Sequence, residues 1–221
     1  MPGSESLAQI ASKYYRADDP VRKPHYLHAY DHHFGSMRET PVRVLELGCW
    51  EGSSLLMWSD YFSKDSVFVT IDMGQSPPAI GGRPNIKFLQ GFQDDPAVMK
   101  EACNIIDNEK FDIIIDDCAH VGVTAFNSFN FLFDKALKVG GVYVIEDIGA
   151  PFGVKDWPDG APYAPEVHGI IDGNRIVGYD LGMMGFIKRL VDHVNIQSIP
   201  SRFPISCMSL YESIAFVTKR T

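Results

Sequence analysis

The chain has 221 residues, of which 45% are hydrophobic and 12% aromatic, and its formal net charge at pH 7 is −8. A chain of this length and composition can bury one sizeable α/β core, and we expect a single domain over residues 1–221. The acidic charge argues against nucleic acid as the main partner, because phosphate binding needs clustered lysine and arginine.

No stretch approaches the ~20 apolar residues of a membrane-spanning helix. The first residues, MPGSESLAQI, lack the basic and apolar regions of a signal peptide. The cysteines are far apart, without the C-x-x-C spacing of zinc sites or redox pairs. We therefore expect a cytoplasmic protein whose partner is a small molecule rather than a membrane, and the sequence is compatible with a homo-oligomer.

Strands alternate with helices after an N-terminal helical segment in residues 1–40. The strands are predicted at residues 42–47, 66–71, 86–90, 111–116, 142–147, 195–199 and 214–218. Besides a helix after the first strand, helices are predicted at residues 96–107, 123–137 and 181–193, the second of them stopping at Gly140 and Gly141. This order predicts a doubly wound, Rossmann-like α/β fold, with a mostly parallel seven-stranded sheet and helices on both faces. The Pro- and Gly-rich segment 149–180 is long enough for a lid or substrate loop, and the alternative is an oligomer contact or plain surface.

The stretch VRVLELGCWEGSSLLMW, residues 42–58, sets a buried strand against a turn and a helix start. Gly48 and Gly52 bracket the turn, and Ser53 and Ser54 are predicted to cap the helix. A dinucleotide fingerprint would have a middle glycine where this chain has Trp50, whose indole obstructs a pyrophosphate. The turn therefore favours S-adenosylmethionine over a nicotinamide dinucleotide.

Carboxylates of the predicted site follow the strands. Glu46 lies beside the turn, and Asp72, at the end of the second strand, is placed to accept hydrogen bonds from a ribose diol. The alternative is that Asp72 only caps its loop. Because ligands of an open α/β sheet bind outside the carboxyl ends of its strands, six acids are expected at one edge: Glu46, Asp72, Asp116, Asp117, Glu146 and Asp147. Their mutual repulsion predicts a cationic cofactor and a divalent metal, Mg²⁺, Ca²⁺ or Mn²⁺.

His120 follows the fourth strand in the motif DDCAH. Its ordinary pKa near ~6.5 suits a general base that takes a proton from a hydroxyl. The alternative is a histidine that caps the next helix or packs in the loop. The histidines of HYLHAYDHHF, residues 25–34, lie on different faces of any regular element, which disfavours a second metal site there.

These motifs together resemble a family. HYLHAYDHHF, VRVLELGCWEGSSLLMWSDYF, GFQDD, IIIDDCAH and GGVYVIED are similar to the metal-dependent O-methyltransferases that modify deoxysugars of macrolides and other natural products, within the class I S-adenosylmethionine-dependent group. The similarity covers about residues 24–194. Its D-D-x-x-H and I-E-D motifs are much more specific than the glycine turn.

The resemblance implies roles for residues of this chain. Asp117, Glu146 and Asp147 would bind Mg²⁺ or another divalent cation, with His120 as the base. The cofactor would contact Glu46, Gly48, Asp72, Gln93 and Asp94. Direct contacts with the cofactor are also predicted for Gly52, Ser53 and Asp116. The chain departs from the family where Cys118 and Ala119 replace Gly-Ser, and where residues 148–151 replace His-Thr-Ser-Tyr, so the acceptor contacts are expected to differ.

The expected activity is S-adenosylmethionine-dependent O-methylation of a hydroxylated small molecule, a sugar of a natural product. Two alternatives stay open at this point. One is a nicotinamide-dependent oxidoreductase on the same sheet, and the other is a protein that binds the cofactor without turnover.

Overall fold

The structure is a computed structural model that describes residues 5–15, 24–150, 159, 171–172, 175–176, 182–196 and 202–220. The helices of these residues are α1 (Leu7–Ala11), α2 (Pro24–Phe34), α3 (Ser53–Tyr61), α4 (Pro96–Ile105), α5 (Gly122–Lys135) and α6 (Gly182–Asn195). The strands are β1 (Arg43–Leu47), β2 (Val67–Asp72), β3 (Ile86–Gln90), β4 (Phe111–Asp116), β5 (Leu137–Ile145), β6 (Ile171–Asp172), β7 (Arg175–Ile176), β8 (Ile205–Tyr211) and β9 (Ile214–Lys219). No helix in the described part of the chain is long and apolar enough to cross a membrane.

Seven strands form one sheet in the order β3-β2-β1-β4-β5-β9-β8. The first five strands are parallel, and β9 runs antiparallel to both of its neighbours. The register aligns Leu47 with Ile71 and Asp116, and Asp116 with Ile145, so four parallel strands end at the same level. The predicted fold class is confirmed, with an antiparallel hairpin at one edge of the sheet.

Helices cover both faces of the sheet because buried side chains alternate along the central strands. On β1, Val44 packs with the aromatic side chains of α2 and α3, whereas Leu45 and Leu47 pack with those of α5 and α6. The strand is apolar on both faces, as expected for the centre of a parallel sheet. This packing fixes the level of the glycine turn that follows β1.

The helix predicted at residues 123–137 does not stop at Gly140 and Gly141, so this prediction is wrong. Helix α5 ends at Lys135, and both glycines lie inside β5. Gly140 has φ +76°, and a Cβ on Gly141 would lie 2.8 Å from the Lys138 carbonyl oxygen and 2.9 Å from that of Asp112. The pairing of β4 with β5 shifts register at this point. The glycines therefore permit an irregularity within a strand, which the sequence cannot distinguish from a helix stop.

The predicted strand at residues 195–199 is also wrong at the positions that the structure describes. Asn195 is the last residue of α6, and Ile196 follows it outside any strand. The edge strand beside β9 is β8, which begins ten residues further along the chain than the predicted strand. Most side chains of β8 are exposed or half-buried, as on a sheet edge, so its hydrophobic alternation is faint.

The predicted lid, residues 149–180, lies largely outside the described residues. Within it the structure describes residues 149–150, Asp159 and the short antiparallel pair β6 and β7. The Asp159 carboxylate accepts hydrogen bonds from the Gly122 N–H at 2.6 Å and the Met183 N–H at 2.5 Å. It therefore links the starts of α5 and α6, while the lid role stays a prediction.

Lys219 on β9 is a buried lysine that the sequence analysis did not single out. Its Nζ donates to the carbonyl oxygens of Phe133 at 2.7 Å, Asp134 at 2.9 Å and Leu137 at 3.0 Å, and the residue is 8% exposed. These bonds satisfy carbonyl groups at the end of α5.

We expect Lys219→Met to lower the free energy of unfolding by about 1–3 kcal/mol, measured by urea denaturation. The exposed control Lys87→Met is expected to change it by less than about 0.5 kcal/mol, and equal effects would contradict this role.

Candidate active site

A cavity of about 660 Å³ lies at the carboxyl ends of the parallel strands. Its volume is within the range of about 300–1,000 Å³ that is usual for ligand and cofactor sites. Predicted site residues that line it are Glu46, Gly48, Ser53, Asp72, Gln93, Asp94, Asp117 and Glu146. The cavity is also lined by tyrosines that sequence reasoning missed: Tyr15, Tyr26 and Tyr30.

The ionisable side chains that line the cavity are predominantly acidic. Its acidic residues are Glu46, Glu51, Asp72, Asp94, Asp117 and Glu146. None of the described residues that line it is a lysine or an arginine. An acidic, partly enclosed site attracts a cationic ligand and repels a pyrophosphate.

Asp72 ties the glycine turn to the end of β2. Its Oδ2 accepts the N–H groups of Cys49 at 2.8 Å and Trp50 at 3.2 Å, and its Oδ1 accepts that of Gly74 at 2.7 Å. Burial by itself would raise the pKa of the Asp72 carboxyl, but these backbone donors outweigh it and hold the pKa below its ordinary value. The carboxylate therefore caps the loop, as the alternative interpretation held. Its oxygens retain acceptor capacity for a ribose, so the predicted ribose contact stays a prediction.

Glycine is required at positions 48 and 52 of the turn for different structural reasons. Both have φ +85°, and a Cβ on Gly48 would lie 2.2 Å from the backbone oxygen of Asp117. Gly52 is the N-cap of α3, without a side-chain capping bond, and does not line the cavity. The predicted capping by Ser53 and Ser54 is therefore wrong. The Ser54 hydroxyl donates instead to Glu46 Oε1, because the left-handed Gly52 ends the turn one residue earlier.

Trp50 lies at the rim of the cavity. Its side chain contributes to the lining, but the residue is 80% exposed. The indole therefore does not fill the turn, and the structure gives no support to the prediction that it obstructs a pyrophosphate. The acidic lining is the better physical reason to exclude one.

Gln93 connects the cavity to a buried polar network. Its Oε1 accepts the Ala119 N–H at 2.9 Å, and its Nε2 donates to Asp116 Oδ1 at 3.0 Å and to Ser128 Oγ at 3.2 Å. Burial raises the pKa of the Asp116 carboxyl to about 7. Asp116 does not line the cavity, so the predicted direct contact with the cofactor is not supported. Asp116 instead accepts hydrogen bonds from Gln93 and, at 3.4 Å, from the Tyr143 hydroxyl, and Gln93 in turn holds the loop that carries His120.

The side chains of Asp117, His120 and Asp147 converge beside the cavity. Each offers a ligand atom, and these atoms lie within 4.8 Å of one another. His120 Nε2 lies 3.7 Å from Asp117 Oδ1 and 3.3 Å from Asp147 Oδ2. The two hard carboxylates at this spacing fit a divalent cation, and the imidazole lies beside them.

Backbone strain accompanies this convergence. His120 has φ +50° and Asp147 has φ +52°, in the left-handed region that residues other than glycine seldom adopt. Such conformations each cost about 1–3 kcal/mol and are concentrated at functional sites. The strain is therefore a second reason to regard these two residues as functional.

Glu146, the third predicted ligand, is outside that group. It is buried and lines the cavity, and its Oε1 accepts a hydrogen bond from the Tyr30 hydroxyl. Its role as a metal ligand stays a prediction. Among the described residues, the histidines of α2 belong to no group of candidate metal ligands.

The cysteines near the site are not suited to nucleophilic catalysis. Burial raises the pKa of Cys49 and of Cys118 to about 12, and the neighbouring carboxylates add to this shift. Since the thiolate is the reactive form, both thiols are inert near neutral pH. Neither Cys49 nor Cys118 is therefore a candidate nucleophile of this site.

Comparison with known proteins identifies what the chain is similar to. No model of a protein family matches it. The mycinamicin VI 2''-O-methyltransferase of Micromonospora griseorubida is 30% identical to it over 230 residues, which cover 96% of this chain and 52% of that protein. The demethylmacrocin O-methyltransferase of Streptomyces fradiae is 32% identical over 206 residues, which cover 86% of this chain and 47% of that protein.

A solved structure agrees with these relatives. MycE, a methyltransferase of the mycinamycin biosynthetic pathway, was solved in complex with Mg, SAH and mycinamycin VI. It aligns with a TM-score of 0.71 and 27% identity over 98% of this chain and 55% of that chain. The resemblance to macrolide and sugar O-methyltransferases is confirmed. The chain spans about half the length of these O-methyltransferases, so the activity of the whole proteins can be assigned to it only as a proposal.

Proposed function

We propose that this chain is an S-adenosylmethionine-dependent, divalent-metal-assisted O-methyltransferase that methylates a hydroxyl of a small molecule, a sugar of a natural product. The observation that carries the proposal is an acidic cavity of cofactor size that adjoins the convergent side chains of Asp117, His120 and Asp147. One part suits a cationic cofactor, and the other suits a metal and a base. Neither a nicotinamide oxidoreductase nor a binding protein without turnover accounts for both parts.

The cofactor end of the site is built on the glycine turn. Gly48, without a Cβ, lets the turn pack against the backbone of Asp117, and Asp72 accepts N–H groups of the turn and lines the cavity. The acidic lining favours the positively charged sulfonium of S-adenosylmethionine over the neutral sulfur of its product. This difference helps the demethylated product to leave.

The chemical end of the site would deprotonate the acceptor. Asp117 and Asp147, with Glu146 as the third predicted ligand, would hold a divalent cation, which would supply a Lewis acid to orient and acidify a hydroxyl. His120 Nε2 lies beside these carboxylates, where it can accept the proton of that hydroxyl. S-adenosylmethionine would supply the methyl group to the acceptor oxygen, with S-adenosylhomocysteine as the leaving group.

The acceptor is proposed from the relatives. Their names place the methyl group on mycinamicin VI and on demethylmacrocin, and MycE was solved with mycinamycin VI. We extend the acceptor class to this chain as a sugar hydroxyl of a natural product. The cytoplasmic location, the single domain, the absence of a nucleic-acid partner and a homo-oligomer remain predictions.

A methyl-transfer assay tests the proposal. The purified chain is incubated with Mg²⁺, S-adenosylmethionine carrying an isotopic label in its methyl group, and a panel of glycosylated macrolides and polyketides. We expect the label on a sugar oxygen of at least one acceptor, located by mass spectrometry and NMR. Calorimetric titration should detect S-adenosylhomocysteine binding and no NAD binding. Tight NAD binding without a response to S-adenosylhomocysteine would overturn the proposal.

Asp72 provides a variant test of the cofactor end. Asp72→Ala removes the acceptor of the turn N–H groups and of the proposed ribose contact. We expect weaker binding of S-adenosylhomocysteine by about 1–3 kcal/mol, measured by calorimetry. Asp65→Ala, at an exposed aspartate before β2, is the control and should bind as the wild type does. Unchanged affinity in Asp72→Ala would remove Asp72 from the cofactor site.

A further inference from the structure

Helix α2 places two tyrosine hydroxyls against the two acids that follow β5. Tyr26 and Tyr30 are four residues apart, so their side chains lie on one face of the helix. Both residues are 2% exposed, and both line the cavity.

Each hydroxyl contacts a different acid. The Tyr26 hydroxyl lies 2.8 Å from Asp147 Oδ1 and 2.9 Å from the Ser213 carbonyl oxygen, so it can donate to either, and it accepts the Asp147 N–H at 3.3 Å. The Tyr30 hydroxyl donates to Glu146 Oε1.

The ring of Tyr30 is held by its packing. Its centroid lies 4.8 Å from that of Trp58 and 5.4 Å from that of Phe216, both in edge-to-face arrangements. The hydroxyl position is therefore set by the core between α2, α3 and β9 rather than by the acid it contacts. A donor on a rigid ring can hold a carboxylate in one orientation.

We propose that Tyr26 and Tyr30 are positioning residues of the metal site, which orient Asp147 and Glu146 to receive a divalent cation. This inference rests on the proposed function, because it assumes that these acids bind a metal. With Tyr26 bonded to Oδ1 of Asp147, the other oxygen, Oδ2, faces His120 and the ligand group. Hydrogen-bond partners behind metal ligands generally change metal affinity by about 10- to 100-fold when removed.

Metal binding without cofactor or acceptor tests the inference apart from catalysis. Mn²⁺ is titrated into the full chain, and free Mn²⁺ is followed by electron paramagnetic resonance. We expect Tyr26→Phe and Tyr30→Phe each to weaken Mn²⁺ binding by about 10- to 100-fold, since each keeps the ring and removes only the hydroxyl. Tyr61→Phe is the matched control. The Tyr61 hydroxyl donates to Asp31 of α2 at 2.8 Å, and neither residue lines the cavity. The Mn²⁺ affinity of this variant should equal that of the wild type.

A double-mutant cycle separates positioning from general destabilisation. In an Asp147→Asn background, Tyr26→Phe should cause little further loss of Mn²⁺ affinity, because its partner carboxylate is already gone. Equal losses in both backgrounds, or wild-type affinity in Tyr26→Phe, would overturn the inference. If Tyr30→Phe fails to fold, as judged by circular dichroism, the Tyr26 cycle decides alone. A wild-type chain that binds no Mn²⁺ would overturn the metal part of the proposed function and, with it, this inference.

Discussion

Treatment with a chelator is expected to abolish turnover while S-adenosylhomocysteine binding remains close to that of the untreated protein. The reason is the division of the site. The glycine turn and Asp72 form the cofactor end, whereas Asp117 and Asp147 converge beside it. Loss of a cation from the second part removes the group that orients and acidifies the acceptor hydroxyl.

The measurement is the initial methylation rate before chelation, after chelation and after return of Mg²⁺. Asp117→Asn should reproduce the loss of turnover, because it removes one of the two convergent carboxylate charges. Asp31→Asn is the control, since this exposed residue of α2 does not line the cavity, and its turnover should stay near wild type. A metal-free protein that methylates at the full rate would exclude a catalytic metal.

Replacing His120 with alanine is expected to lower the turnover rate by about 10²- to 10⁴-fold, with little change in cofactor affinity. His120 Nε2 lies 3.3 Å from Oδ2 of Asp147, a proposed ligand of the cation that would orient the acceptor hydroxyl. Its loss leaves water to accept the proton. Because hydroxide becomes more abundant as pH rises, the lower end of this range is expected at high pH.

The deciding measurement is the pH–rate profile of wild type and variant with a true acceptor. His193→Ala serves as the control, since His193 lies on α6, where its ring packs 5.1 Å from the ring of Phe203, and it does not line this cavity. Its turnover should stay near wild type. If His120→Ala kept both the wild-type rate and the acidic limb of the profile, His120 would have no part in the mechanism.

Local hydrophobic patterns in the sequence were sufficient to predict the strand ends in the parallel part of the sheet. The buried strand before Gly48 and the acids that end β2 and β4 lie where the sequence predicts them. In a parallel sheet covered on both faces, an apolar run followed by a turn marks the strand end almost without reference to the rest of the chain. The same strand ends locate the site, which is why Asp72 and Asp117 could be assigned to it from sequence.

Elements whose form depends on a neighbour were not predictable in this way. From the sequence alone, Gly140 and Gly141 are as compatible with the end of a helix as with an irregular strand. Their place inside β5 follows from the pairing of that strand with β4. Strand β8 has few buried side chains, so its place on the sheet edge is set by its pairing with β9. Both cases are decided by hydrogen bonds to another strand, which leave little trace in hydrophobic periodicity.

The site residues also divide into those that the sequence predicts and those whose contacts only the tertiary structure gives. The sequence alone determines which acids and which histidine stand at the strand ends, because that depends on where each strand stops. It does not determine their partners. Tyr26 and Tyr30 are separated by more than a hundred residues from Asp147 and Glu146, and Gln93 reaches Asp116 across 23 residues. These contacts arise when α2 packs against one face of the sheet and the loop after β3 packs near the other, so they depend on three-dimensional packing that no local pattern encodes.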